Sequence, residues 1–284
     1  MKVRLVLWIG AAGLVGSLAS GCGSKSSLAD QLTPSTGLTA TALALSLNTP
    51  PVGGSVQATA TATYSNGSTG AVNTGFSTDA PAVATSTVTG RVSGVAIGDV
   101  TVIVDYQGLR ATKRVRVLPG YSGILSGTYA VSSCTQTDGF AGDSVNLCGS
   151  FTPGLSLSIA FNNTAASDLT TISGQFALGQ LIGNGNGTVS SSGELTYSGA
   201  LIGDTTRMDF RNFRATSPDA GHLVGSFEQV WTDSTITGQA VIVATNMDMT
   251  RVSSAASAPM SVGSSMRSAA LRDFIAMILR PGGR

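Results

Sequence analysis

The residue pattern predicts an all-β chain, a β-sandwich followed by an antiparallel meander sheet or small β-barrel. Three observations predict it. Of 284 residues 36 are Gly and only 11% are charged, with Ser, Thr, Ala and Val abundant, a composition that makes short strands and tight turns rather than long amphipathic helices. Apolar residues recur at period two, as at Val100, Val102 and Val104, the spacing that lines one face of a strand. Turn dipeptides such as Asn66-Gly67 and Gln107-Gly108 separate these runs. The length accommodates two ordinary domains.

Residues 1–21 come first and read as a signal peptide. Lys2 and Arg4 form a positive head, and Leu5 to Ala19 is an apolar run of 15 residues, short against the roughly 20 needed to span a bilayer as a helix. Ser20 and Gly21 are small, and Cys22 follows them. Loss of this segment removes Lys2 and Arg4 and turns the formal charge from +1 to −1. The remainder has no basic stripe, which excludes nucleic acid as an expected partner and gives no field to steer a highly charged one.

Leu18-Ala19-Ser20-Gly21-Cys22 resembles the lipobox of bacterial lipoproteins. The resemblance implies that the Cys22 thiol receives a diacylglyceryl group, that the signal is cleaved before it, and that Cys22 becomes the first mature residue. Ala19 stands where that family usually has Leu. Gly23 rather than Asp follows the cysteine, which implies delivery to the outer membrane rather than retention at the inner one. Two or more acyl chains anchor a protein stably where one does not. Residues 22–37, rich in Ser, Thr and Gly, form an expected tether.

The first domain is expected over 38–119. Leu38 to Leu47 alternates loosely, Pro50-Pro51 and Gly53-Gly54 mark a turn, and Ser55 to Tyr64 is a second run ending at Asn66-Gly67. Val100, Val102 and Val104 share a face, Gln107-Gly108 closes a hairpin, and Val115 and Val117 face the core while Lys113, Arg114 and Arg116 face solvent. The segments Tyr64–Ser68, Ser77–Thr85, Thr89–Ser93 and Ile97–Val104 together resemble the bacterial group 2 immunoglobulin-like domain. That likeness implies an immunoglobulin-like β-sandwich acting as a spacer or adhesive module, with Phe76 filling a core site usually held by Trp.

The second domain is expected over 121–251. Its candidate strands are 127–133, 155–162, 170–178, 187–191, 194–202, 206–215, 222–231 and 235–245, with turns at Gly183 to Gly187, Ser191 to Gly193 and Pro218 to Gly221. Gly174, Gly199, Gly225 and Gly238 sit inside strands, where glycine marks bulges and bends. Eight meandering strands either close into a barrel or remain a curved sheet. Cys134 and Cys148 are an even pair in a chain that reads as exported, and a disulfide between them is expected. Their spacing is too wide for a Cys-X-X-Cys redox site.

The residue set gives little to catalysis, and no cofactor or metal is expected. His222 is the only histidine; a hydrolytic triad would have to use it, with Asp219 as its orienting acid. One His leaves too few zinc ligands. Glu194 and Glu228 are the only glutamates and read as solvated strand residues rather than a glycosidase pair. Asp138 and Asp143 lack the alternating oxygen ligands of a calcium loop. Gly183 to Gly187 has no helix after it to make a phosphate loop. Arg207, Asp209 and Arg211 share one strand face as charge pairs. Residues 252–284 comprise a linker and, from Met266 to Leu279, a helical apolar stripe.

The expected function is therefore that of a lipid-anchored cell-envelope protein with a non-enzymatic binding, adhesion or structural role. Its expected partners are the membrane, through the anchor, and an envelope or surface protein or a glycan. The alternative is a carrier of a small apolar ligand in a barrel cavity.

Overall fold

A computed structural model describes residues 37–141, 147–150, 155–165, 168–178, 181–219 and 221–253. The expected signal peptide, Cys22, the tether up to residue 36 and the expected C-terminal helix lie outside the described residues. Among the described residues no helix is long and apolar enough to cross a membrane.

The first nine strands are β1 (Ala40–Ser46), β2 (Ser55–Gln57), β3 (Thr59–Tyr64), β4 (Thr69–Val72), β5 (Phe76–Thr78), β6 (Ala84–Ser86), β7 (Arg91–Gly94), β8 (Gly98–Tyr106) and β9 (Leu109–Val117). They pair antiparallel in three small sheets, β1-β3-β4, β2-β7-β6 and β5-β8-β9. The expected alternation holds. Val100, Val102, Val104, Val115 and Val117 are buried with Phe76, while Lys113, Arg114 and Arg116 are exposed. Each buried valine contributes roughly 1.5–3 kcal/mol. Asn66 caps its own turn, its side-chain oxygen accepting from the Ser68 N–H at 2.9 Å, and Gly67 takes the left-handed φ of 82° that the turn requires.

One reading of the first domain is corrected. Ser55 to Tyr64 is not a single strand: β2 pairs with β7, and β3 pairs with β1. The chain changes sheets at Ala58, whose N–H turns to the Gly90 carbonyl at 2.8 Å. Alternation runs through such a crossing unbroken, because both halves bury the same parity of side chain against one core.

The remaining strands are β10 (Gly123–Gln136), β11 (Leu155–Ala165), β12 (Asp168–Leu178), β13 (Leu181–Val189), β14 (Leu195–Ile202), β15 (Thr206–Thr216), β16 (His222–Asp233) and β17 (Ile236–Ser253). Each pairs with the next, and β17 returns to β10 to close an eight-stranded antiparallel barrel. Of the two expected architectures the barrel is the one formed, and it leaves no sheet edge.

Aromatic rings fill its interior. Phe210 stacks on Phe227 at 4.5 Å and on Phe176 at 4.7 Å, Tyr129 meets Phe227 edge-on at 4.9 Å, and Phe161 meets Tyr197 at 5.3 Å. Such contacts add about 0.5–1.5 kcal/mol per pair beyond area burial. A cylinder lined by large side chains on every strand would be overfull, and β13 relieves it. Its inward positions between Leu181 and Val189 are Gly183, Gly185 and Gly187, and Cβ atoms there would fall 2.2 Å from the Phe176 ring, 2.7 Å from the Tyr197 ring and 2.3 Å from the Thr196 carbonyl. The glycines read as a turn are thus the middle of a strand. The aromatics of β12 and β14 lie over them.

Both ends are capped. The Cys134–Cys148 disulfide, with Cα atoms 5.6 Å apart, closes a loop that delivers Phe140 and Leu147, both fully buried, to the barrel core. At the other end Tyr121 joins the same core. Outward positions such as Ser156, Ser173, Asn184, Asn186 and Ser198 are polar, the reverse of the lipid-facing apolar band of membrane barrels. Among the described residues the middle of the barrel is occupied by stacked rings.

Candidate functional site

The surface with most binding character lies where the sandwich meets the barrel, and local chain chemistry sets it. Pro51 bridges to Leu118 in a parallel pairing, and the Val52 N–H donates to the Leu118 carbonyl at 3.0 Å. Leu118 and Pro119 are buried. Two residues on, the Tyr121 hydroxyl donates to the Gly193 carbonyl and accepts the Ser217 N–H; burial pushes this phenol up to about 12. Arg116 Nε donates to the Ser191 carbonyl at 3.1 Å. At Gly193, held at φ 85°, a Cβ would fall 2.6 Å from the Ile97 side chain. These contacts fasten strand β9 and its following linker to two turns of the barrel.

They also frame a cleft of about 330 Å³. Pro51, Val52 and Ile97 line it from the sandwich, Pro119 and Gly120 from the linker, and Ser217, Pro218, Asp219 and Arg251 from the barrel. Clefts between domains are a common location for ligand sites.

A second concavity of about 390 Å³ lies on the outside of β13, β14 and β15. Asn186, Thr188, Thr196, Ser198, Asn212 and Arg214 line it. The pairing of β15 slips between Arg211 and Arg214, and Asn212 takes a left-handed φ of 51° there, as a bulge allows. Asn212 Nδ2 donates to Glu228 at 2.7 Å and Arg214 to Glu194 at 2.8 Å. Tyr197 and Phe213 line it as well, and its one charged side chain, Arg214, is already paired.

Cys22 lies outside the described residues, as does Asp143. Cys134 and Cys148 form the expected disulfide. His222 Nε2 stands 2.6 Å from Asp248, and Nδ1 is 3.8 Å from Asp219. The geometry gives this histidine two carboxylate neighbours and, among the described residues, no hydroxyl partner. Glu194 and Glu228 are engaged by Arg214 and Asn212 on the outer surface. Asp209 is held by Arg207 at 2.7 Å and Arg211 at 2.8 Å, and those guanidinium bonds, Arg207 first, keep its carboxyl below the usual range. Among the described residues no group of His, Cys, Asp and Glu is arranged to hold a metal ion.

Two polar residues, Asp248 and Arg251, escaped sequence reading, and a third, Gln229, was legible only through the face it shares with Phe227 and Trp231. Asp248 meets His222 through β16–β17 pairing, a register that no local pattern announces. Gln229 is fully buried inside the barrel, donating to the Tyr129 hydroxyl at 3.1 Å and accepting from Trp231 Nε1 at 3.0 Å. Arg251 enters the cleft from the end of β17, and a lone arginine at a strand end carries no signal at all.

Residues 41–113 match the family model of the bacterial Ig-like domain (group 2). Among curated proteins, none matches the chain.

Proposed function

We propose that this chain is a lipid-anchored cell-envelope protein whose Ig-like module carries a capped β-barrel away from the membrane as a non-enzymatic binding or adhesive surface. The observation that carries the reading is the family match over residues 41–113, placed soon after a lipobox-like sequence ending at Cys22. Ig-like modules of this group suit spacer and adhesive roles. The contacts between linker and barrel turns support the reading further, because a presented surface works best on a support that holds its orientation. A barrel without sheet edges, apolar inside and polar outside, suits exposure to an envelope compartment. The partner is an envelope or surface protein or a glycan.

The full chain, expressed in a bacterial envelope host, is compared with Cys22→Ser. The expected result is a membrane-bound protein whose N-terminal peptide begins at a diacylated Cys22. The Cys22→Ser variant loses that modification and its membrane association. Soluble cytoplasmic protein that retains Met1 and carries free thiols at Cys134 and Cys148 would overturn the proposal.

A further inference from the structure

The cleft between sandwich and barrel holds a charge that the described residues leave unbalanced. Arg251 lines it, is partly buried, and follows directly in β17 the Thr250 that pairs with His222. A guanidinium has five N–H donors. Here Nη2 donates to the Gly120 carbonyl, while Nε is buried with no acceptor. Among the described residues Arg251 makes no ion pair. Desolvation alone accounts for the lowering of its affinity for the proton. The other charged group of the cleft is already occupied: Asp219 accepts the Gly221 N–H at 3.0 Å and faces His222 at 3.8 Å. Taking a cation out of water is expensive unless an anion answers it.

We infer that the cleft is a binding site for a small carboxylate, the free C-terminus of a peptide with short apolar residues, with Arg251 as its charge partner. Three features select that chemistry. Arginine forms short, charge-assisted bonds to carboxylate oxygens. Pro51, Val52, Ile97 and Pro119 provide rigid apolar walls for the side chains that precede the terminus. The Asp219 carboxylate on the rim disfavours a dianion such as phosphate, which would bring a second negative charge beside it. The volume, about 330 Å³, is at the small end of ligand sites and suits two short residues. The site is independent of how the chain is anchored.

The test titrates acetyl-Ala-Ala, its C-terminal amide and inorganic phosphate separately into the whole protein labelled with 15N-glycine. The amides of Gly53, Gly54 and Gly120, all on the cleft wall, report binding by NMR. The expected result is saturable shifts of these three amides with acetyl-Ala-Ala and at least a tenfold weaker response to the amide and to phosphate. Arg251→Met should abolish the shifts. Because Arg251 also holds the Gly120 carbonyl, that variant alone could fail by loosening the linker. Ser217→Phe keeps Arg251 and obstructs the cleft, and should likewise remove binding while the barrel's other glycine resonances stay in place. The inference is overturned by equal binding of acid and amide, by phosphate binding as tightly as the acid, by shifts that survive both substitutions, or by no saturable shift at tens of millimolar peptide.

Discussion

The sandwich and the barrel are made from much the same Gly-, Ser- and Thr-rich composition, yet they bury it by opposite means. The sandwich core is almost entirely Ala and Val, with Phe76 its one fully enclosed aromatic. Small side chains interlock across that core, and its glycines serve mainly in turns such as Gly67 and Gly108, with Gly70 and Gly94 lying within strands. The barrel must fill a cylinder. It does so with Tyr129, Phe161, Phe176, Tyr197, Phe210, Phe213, Phe227 and Trp231, and sets glycines inside strands where those rings need room. The difference teaches that glycine content by itself says nothing about turns; what matters is whether a neighbour's side chain occupies the missing Cβ.

Replacing Phe76 with Ala should have the largest effect. A buried Phe→Ala change removes about 3–5 kcal/mol, and a core of Ala and Val has no large neighbour to collapse into the gap. Trp231 is the only tryptophan beyond residue 8 and is buried in the barrel, so its fluorescence follows the barrel alone. The expected outcome in urea is early loss of the sandwich signal in far-ultraviolet circular dichroism, ahead of the Trp231 transition. If both transitions move together by the same amount, the two halves unfold as one unit and the contrast between them is energetic fiction.

The disulfide comes next. In the chain-entropy account, a bridge over a loop of this length contributes about 3 kcal/mol. Replacing Cys134 and Cys148 with Ser frees the loop that carries Phe140 and Leu147 into the barrel end. The Trp231 transition should shift to lower urea by that amount and the sandwich transition should stay. A shift of the sandwich instead would mean that the cap acts through the junction.

Two glycine substitutions sharpen the point about glycine directly. Gly185→Ala puts a Cβ 2.2 Å from the Ser198 carbonyl oxygen, which is backbone and cannot move aside, and should destabilise the barrel by about 2 kcal/mol as overpacking does. Gly67→Ala meets nothing within 4 Å but strains a left-handed turn residue, at about 1 kcal/mol. Differential urea unfolding of the two variants checks the ranking. Equal effects would show that conformational strain, not occupied space, governs both.

Legibility from sequence followed the same divide. Period-two runs disclosed most strands of the chain, and the Phe76 site, the Asn66 turn and the cysteine pair were all readable because each depends on local spacing or on counting. The sheet change at Ala58 was hidden because parity does not break there. Gly183 to Gly187 misled because Gly and Asn have turn propensity, while the reason for a strand at that place sits on Phe176 and Tyr197 in flanking strands. Arg251 was unreadable for a related cause: its meaning comes from Gly120, 131 residues away in sequence.

Acid gives the smallest effect and the finest test. At the barrel rim, Asp233 is buried, which on its own would raise its pKa. Bonds from the Thr206, Thr235 and Thr205 hydroxyls and the Thr235 N–H outweigh that and hold the carboxyl below its ordinary value. A carboxylate depressed in the folded state stabilises the protein fully above the unfolded value near 4 and loses that contribution as pH falls through the folded value. Asp79 and Asp105 in the sandwich are lowered too, by the Thr101 N–H and hydroxyl and by Arg110, but both are open to solvent. Between pH 5 and roughly 2 the barrel transition should therefore weaken. The Asp209 pairs with Arg207 and Arg211 supply a salt-sensitive part of that slope. Asp233→Asn should flatten the part that survives added salt. The Arg110–Asp105 part of the sandwich response should shrink in salt, since exposed pairs are screened. A barrel slope unchanged by Asp233→Asn at high salt would remove Asp233 as a source of it.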